Sequence, residues 1–461
     1  MWATFWGGSM TRFAFRLASS AALIVSTSAP LLARPWRPLA VAGTVADGVW
    51  RSRGYGHILV VHHGGRALYH IAGGFCYRDP SGSDADDDSY RLVNIASPNR
   101  IVFAAAPDQT RYEFDRIAAL PPNCAVKRHW TAQDIADLIT TTFADLYSGF
   151  GRRGRELGKL KEALAASSET DPDLSFFEHT ARALGSLDDA HVSLAAKIDG
   201  VDHDFEGGEA TTIRDARSDS TLGTDPGERE RKWSKAYREG IVGLLEGGGH
   251  QVANHKILWG RIGRIGYLNV VAMGGFDKTA PTDDVAALDA VLDDAITAFQ
   301  GLPGVIVDAT NNRGGYDAIS LHIAGRFADR RRLAFSKRPF GAQGKYQRFY
   351  VAPSDRIRYL GDVALLTSDV TVSAGETFTL AMRALPSVVQ MGARTRGALS
   401  DQLTKPLPNG WTLTLPAEDY RDSNGRSQEG IGVDPQRTIP PFAPNHRIMV
   451  RTVAERMTPA F

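Results

Sequence analysis

Ser373 stands where an apolar run ends in small polar residues and a helical pattern begins: Leu365-Leu366-Thr367-Ser368-Asp369-Val370-Thr371-Val372-Ser373-Ala374-Gly375-Glu376. Leu365 and Leu366 close a buried strand, Thr371 to Gly375 make a tight turn, and Glu376 to Ala384 carries helix formers with Phe378 and Leu380 for a core. A serine on such a turn sits at the positive end of the helix, where backbone N–H groups without intrahelical partners can hold a developing oxyanion. The chemistry is nucleophilic acyl transfer. The same residues also read as an ordinary helix cap, because serine is a preferred N-cap, so the surrounding elements must decide.

Those elements fall into blocks. Residues 257–440 read as an α/β domain: Ile265 to Val271 as a strand, Asp283 to Phe299 as a helix, and Gly304-Val305-Ile306-Val307-Asp308 as a buried strand followed by a glycine turn and another helix. Asn409-Gly410, flanked by alternating Trp411, Leu413 and Leu415, predicts a hairpin. Residues 130–200 change to a helical period through Ile135, Leu138, Ile139, Phe143 and Leu146, then Phe176, Phe177, Ala181, Leu184 and Leu187. Residues 45–125 hold short β-branched and aromatic runs between glycines, the pattern of hairpins in a small β-rich module. Residues 202–237 are polar and read as a surface insertion that could serve as a lid or an inhibitory segment.

The whole chain has 461 residues, 43% hydrophobic and 23% charged, with a formal net charge of +1, which fits two or three globular domains. No dominant basic or acidic block points to nucleic acid as the main partner. Met10 to Arg16 places positive charge before the apolar stretch Leu17 to Leu32, with small residues at Ala29 and Ala33. This is the layout of a cleaved secretory signal peptide over residues 1–33, and no later segment approaches spanning length, so no stable membrane span is expected after cleavage. The expected location is exported, periplasmic or extracellular. Cys76 and Cys124 are the two cysteines, and in an oxidising compartment they most economically form one disulfide, although two buried thiols would also fit. His62-His63 alternates with Val60, Val61 and Leu68 in a strand context, and no clustered histidine spacing supports a metal site.

The order of motifs along residues 130–440 resembles the tail-specific, or carboxyl-terminal processing, serine peptidase family, and more closely its tricorn-core-like branch. The matches are Leu187-Asp188-Asp189-Ala190-His191, Gly266-Tyr267-Leu268, Val305 to Gly315 with its Asn311-Asn312-Arg313-Gly314-Gly315 end, Thr371 to Glu376, and Gln428-Glu429-Gly430-Ile431-Gly432-Val433-Asp434-Pro435. The resemblance implies an α/β fold with a crotonase- or ClpP-like β/α spiral core, behind a helical subdomain and a small N-terminal β module. It also implies hydrolysis of peptide bonds in proteins or peptides, with no cofactor.

The family divides on the base that activates the serine. One branch uses a lysine, and Ala398 stands where it would be, leaving only Lys405 to reach back. The tricorn-like branch uses an upstream histidine, which His191 matches, and a glutamate near the end of the domain, which Glu429 matches. That branch also carries a serine before the histidine, and Ala190 occupies the position here, so Ser193 or a direct Glu429 contact would have to orient the ring. The resemblance assigns the oxyanion hole to the Gly314-Gly315 pair and the N–H of Ala374. Two other functions fit the same motifs: a ligand-binding protein on this fold without a working serine, and an esterase-type acyl hydrolase. Nothing in the motifs sets the oligomeric state or the cleavage specificity.

Overall fold

The computed structural model describes residues 35–41, 43–81, 88–150, 155–165, 173–278, 284–442 and 445–457. The leader read over residues 1–33 lies outside them.

The centre of the molecule is a seven-stranded sheet whose spatial order follows the chain: His250–Val252, Ile257–Ile262, Ile265–Val270, Gly304–Asp308, Asp362–Thr367, Val388–Gly392 and Arg437–Thr438. The first two pairings are antiparallel and the rest parallel. Parallel strands are covered on both faces, and the sequence shows why. Val305, Val307, Val363 and Leu365 join one apolar cluster with the helices Asp284–Phe299, Asp317–Gly325 and Ala374–Arg383. Ile306, Ala364 and Leu366, one residue out of step, join a second cluster with Tyr237 and Ile241 of the helix Pro226–Val242 and with Met449, Val450 and Val453 of the helix His446–Met457. The result is the mixed α/β architecture expected from the sequence.

The polar stretch 202–237 is thereby resolved into the strand Val201–Glu206, the helix Thr211–Ser218 and most of the helix Pro226–Val242. The last of these starts at an Asp225 cap with Pro226 in its first turn. Glu230 on its flank pairs with Arg313 at 3.1 Å, while Tyr237 and Ile241 are buried under the sheet.

The helical unit is built from Ala132–Leu146, Leu157–Ala165 and Asp173–Gly185. Thr131 and Asp134 form a capping box at its start. These helices pack on a four-stranded sheet ordered Val201–Glu206, Ser193–Ile198, Thr412–Pro416, Gln402–Pro406. The hairpin closing near Asn409-Gly410 therefore leaves the α/β unit and completes the sheet that begins just after His191, pairing Thr414 with Ser193.

The N-terminal module is an eight-stranded antiparallel sheet around Trp50, Leu59, Tyr90, Phe103 and Phe114. Cys76 and Cys124 are joined by a disulfide with their Cα atoms 4.7 Å apart, closing a sequence separation of 48. A loop of that length restricts the unfolded chain enough that replacing both cysteines by alanine should lower module stability by about 4 kcal/mol. Denaturant titration of the double variant checks this, and a change under about 1 kcal/mol would assign the bridge no such role. Among the described residues no helix is long and apolar enough to cross a membrane.

Candidate active site

Ser373 occupies the N-cap position of the helix Ala374–Arg383 but does not cap it: its side chain makes no capping bond, and its backbone lies at φ 59°, ψ −126°. That conformation belongs to glycine in type II′ turns and costs a serine on the order of 1–3 kcal/mol. The surroundings fix it. The Ser373 N–H donates to the Ala398 carbonyl at 2.9 Å and the Val372 N–H to the Asn312 carbonyl at 3.2 Å. Thr371 Oγ1 donates to the Ala309 carbonyl at 2.8 Å, and the backbone N–H and hydroxyl of Thr212 clamp Asp369 at 2.8 and 2.7 Å.

Gly314 and Gly315 lie directly beside this turn. A Cβ on Gly314 would sit 2.6 Å from Ser373 Cβ and 3.2 Å from its Oγ, so only glycine lets the two backbones approach this closely. Gly315, at φ 139°, is pressed against the Met273 backbone in an isolated bridge. Asn312 sets the loop by donating to the Val270 carbonyl at 2.8 Å and accepting the Gly314 N–H at 2.9 Å. The Gly314 N–H is thus committed inside the loop. Among the described residues neither the Gly315 nor the Ala374 N–H has a backbone acceptor.

His191 is buried in the turn before the strand Ser193–Ile198, and its backbone N–H donates to Asp189 Oδ1 at 3.1 Å. Asp189 is itself pinned by the Tyr147 hydroxyl at 2.8 Å and Arg155 Nη1 at 3.2 Å. Burial lowers the His191 pKa from its usual value, opposed by the charges of Asp189 and Asp401 and by the nearby Ser400 backbone. Its Nδ1 is buried without a hydrogen-bond partner. The stretch 398–400 links the two halves of the site: Ala398 receives the Ser373 N–H, and Ser400 lies against His191. Ser193, weighed from the sequence as an orienter, bonds Thr414 Oγ1 at 2.5 Å instead.

Two buried glutamates hold this stretch. Glu376 accepts the Thr395 hydroxyl at 2.6 Å and the Gly397 and Ala398 N–H groups at 2.8 Å each. Glu429 Oε2 accepts the N–H groups of Leu399 at 3.0 Å and Ser400 at 2.8 Å. Glu429 thus meets the backbone against which His191 rests. Burial raises Glu376 to about 7, and burial with the charge of Asp189 raises Glu429 to about 8.

These raised values predict a pH dependence. An unfolded glutamate titrates near ~4.3, so the folded protein keeps protons that the unfolded chain releases. The stability this contributes is present below about pH 4.3 and is lost as pH rises toward 8 for Glu429. Glu429→Gln keeps an acceptor for both N–H groups and removes the titration. Urea unfolding should therefore give the variant a flatter stability curve than wild type between about pH 5 and 8. Parallel curves would refute the assignment.

Lys405, the remaining lysine considered as a base, is committed elsewhere: its ammonium donates to the carbonyls of Tyr55 at 2.6 Å and Gly56 at 2.9 Å in the N-terminal module. Asp47, His62 and His63 are the described residues whose donor atoms could hold a metal ion, and they lie on the N-terminal module. Sequence reasoning missed Asn312, Glu376 and Asp401. Ser373 to Glu376 has the spacing of a capping box, which singles out Glu376; its carboxyl lies near the Ser373 backbone and also holds residues 395–398.

The family model described as "Peptidase family S41" matches residues 264–439. No curated protein sequence matches the chain. Among solved structures, a candidate peptidase from Parabacteroides merdae ATCC 43184 superposes with a TM-score of 0.54 at 20% identity, covering 72% of this chain and 98% of that one. Mature CPAF superposes with a TM-score of 0.50 at 13% identity, covering 71% and 95%. These likenesses show the fold.

Proposed function

Because residues 264–439 place the chain in peptidase family S41, the tail-specific serine peptidases, we propose that it is an exported peptidase that cleaves peptide bonds through an acyl-enzyme on Ser373, with His191 as base. The observation that carries the reading is the Ser373 turn: a strained, uncapping serine at a helix N-terminus, flanked by the uncommitted N–H groups of Gly315 and Ala374. In this scheme His191 takes the Ser373 proton as Oγ attacks the carbonyl carbon, and the tetrahedral oxyanion forms where those two N–H groups and the helix dipole favour negative charge. His191 then returns the proton to the leaving amine, and water repeats the sequence to release the acid. Asp189 and Asp401 favour the imidazolium that forms in between. Glu429, whose pKa burial and the charge of Asp189 raise to about 8, holds the Ser400 backbone that lies against the ring. Export follows from the leader pattern and fits the Cys76–Cys124 disulfide.

Treating the mature protein with a fluorophosphonate and mapping the adduct by mass spectrometry tests the reading. Labelling should fall on Ser373 and track hydrolysis of a peptide library. Labelling of another residue, or none while the protein remains folded, would overturn it.

A further inference from the structure

A cleft of about 2300 Å³ begins beside the site at Gly315, Tyr316 and Asp317 and reaches the N-terminal module on its other side. The cleft is a built junction, not a chance gap. Tyr55 Oη of the module donates to Glu418 at 2.6 Å, and Gln347 is clasped from both sides, donating to the Gln109 carbonyl at 2.8 Å and accepting the Arg111 N–H at 2.9 Å. The module loop containing Gln109 and Arg111 is thereby fixed against the hairpin Arg332–Pro339 and Gln347–Val351.

The charges on this wall are uneven. Arg111, Arg331, Arg338, Lys345 and Arg348 line the cleft, and none has a carboxylate partner among the described residues. Arg111 and Arg338 spend a guanidinium N–H on the carbonyls of Pro107 and Gly344, and Arg331 lies over the Tyr350 ring. Arg338 lies over the Tyr346 ring, and among the described residues its Nε is buried without a hydrogen-bond partner. The opposing carboxylates are largely engaged: Asp289 pairs with Arg326 at 2.7 Å, Glu418 with Lys337 at 3.0 Å, and Asp422 accepts the N–H groups of Asn424 and Arg426 in its own turn. Asp108 and Asp355 remain exposed on the lining. Guanidinium groups without carboxylate partners, on this hairpin and beside it, suit carboxylates, which they meet in paired hydrogen bonds.

We propose that this cleft, with the N-terminal module as its far wall, selects acidic polypeptide segments and delivers them to Ser373. The inference rests on the peptidase reading for the delivery step only; the charge preference belongs to the cleft itself. A segment rich in Asp or Glu lies along the hairpin, its carboxylates meeting Arg338 and Arg348, while the bond to be cut lies beyond Gly315.

The test uses full-length Ser373→Ala protein, which cannot turn over the peptide, and fluorescein-labelled twelve-residue peptides that are Asp/Glu-rich, Ser/Gly-rich or Lys-rich. Fluorescence anisotropy should show the acidic peptide binding at least about tenfold more tightly than the neutral one at roughly 50 mM salt, with the advantage shrinking at roughly 300 mM as screening shortens. Arg348→Glu, at an exposed position where folding is not at risk, should reduce the preference, and Arg338→Glu with Arg348→Glu should abolish or reverse it. Lys235→Glu, on the remote helix Pro226–Val242, should leave it intact. Equal binding of the three peptides, or a preference untouched by the Arg348 change, overturns the proposal. Fluorophosphonate labelling separates the two readings: a charge preference without Ser373 labelling sinks the peptidase reading alone, and labelling without a charge preference sinks this one alone.

Discussion

Ser373→Ala will lower kcat/KM on any peptide the protein cleaves by about four to six orders of magnitude, the loss expected when the nucleophile of an acyl-transfer site is removed. It will do so with little change in stability, because the Ser373 side chain makes no capping bond whose loss would be felt. Ser373→Gly sharpens the point. At φ 59°, ψ −126° any residue with a Cβ is strained, and glycine is not. The glycine variant should be equally inactive yet more stable than wild type by about 1 kcal/mol, the strain relieved minus the extra entropy that glycine loses on folding. A stability gain at the cost of activity is what a strained functional site predicts. Paired kinetics and denaturant titration of the two variants measure it; an active glycine variant would mean that another group attacks the substrate, and a less stable one would mean that the turn stores no strain.

His191→Ala should lower kcat/KM by about four orders of magnitude while leaving substrate binding to the Ser373→Ala background nearly unchanged. The pH profile identifies the role. A base works only when deprotonated, so activity rises with pH along a limb set by the free imidazole. Because burial lowers the His191 pKa, the midpoint of that limb should lie below the ordinary histidine value of ~6.5. The residual activity of the alanine variant should lack the limb. A lysine base would instead place the limb on the alkaline side, and the commitment of Lys405 to the Tyr55 and Gly56 carbonyls argues against it. Retention of activity within about tenfold in His191→Ala would refute the assignment.

The parts of this protein that sequence makes legible are those encoded by local period and turn chemistry. The strand Gly304–Asp308 reads as buried because every residue in it can be, and its alternate side chains divide between the two sheet faces. Asn409-Gly410 marks a hairpin because its turn needs residues that tolerate positive φ, and Gly410 takes φ 87°. The serine turn is legible from the apolar run that ends at Thr367 and the helix formers that begin at Glu376. What a local pattern does not encode is which distant group a side chain meets. Glu429 carries no signal that its partners are Leu399 and Ser400, and the polar composition of 202–237 masks a helix that runs on to Val242 and is buried against the sheet through Tyr237 and Ile241. The clasp of Gln347 on the N-terminal module spans 238 residues to Gln109 and leaves no trace in either neighbourhood.

The strand that follows His191 pairs with Thr412–Pro416, and Ser193 bonds Thr414 across 221 positions. During synthesis the ribosome therefore releases the segment carrying His191 long before its partner strand exists. Until the hairpin emerges, the edge beside His191 is open and the stretch 398–400, which accepts the Ser373 N–H and lies against His191, has only just been made. On the proposed Ser373–His191 centre, a nascent chain therefore has no working site until almost the end of translation, so the order of the chain itself acts as a clock.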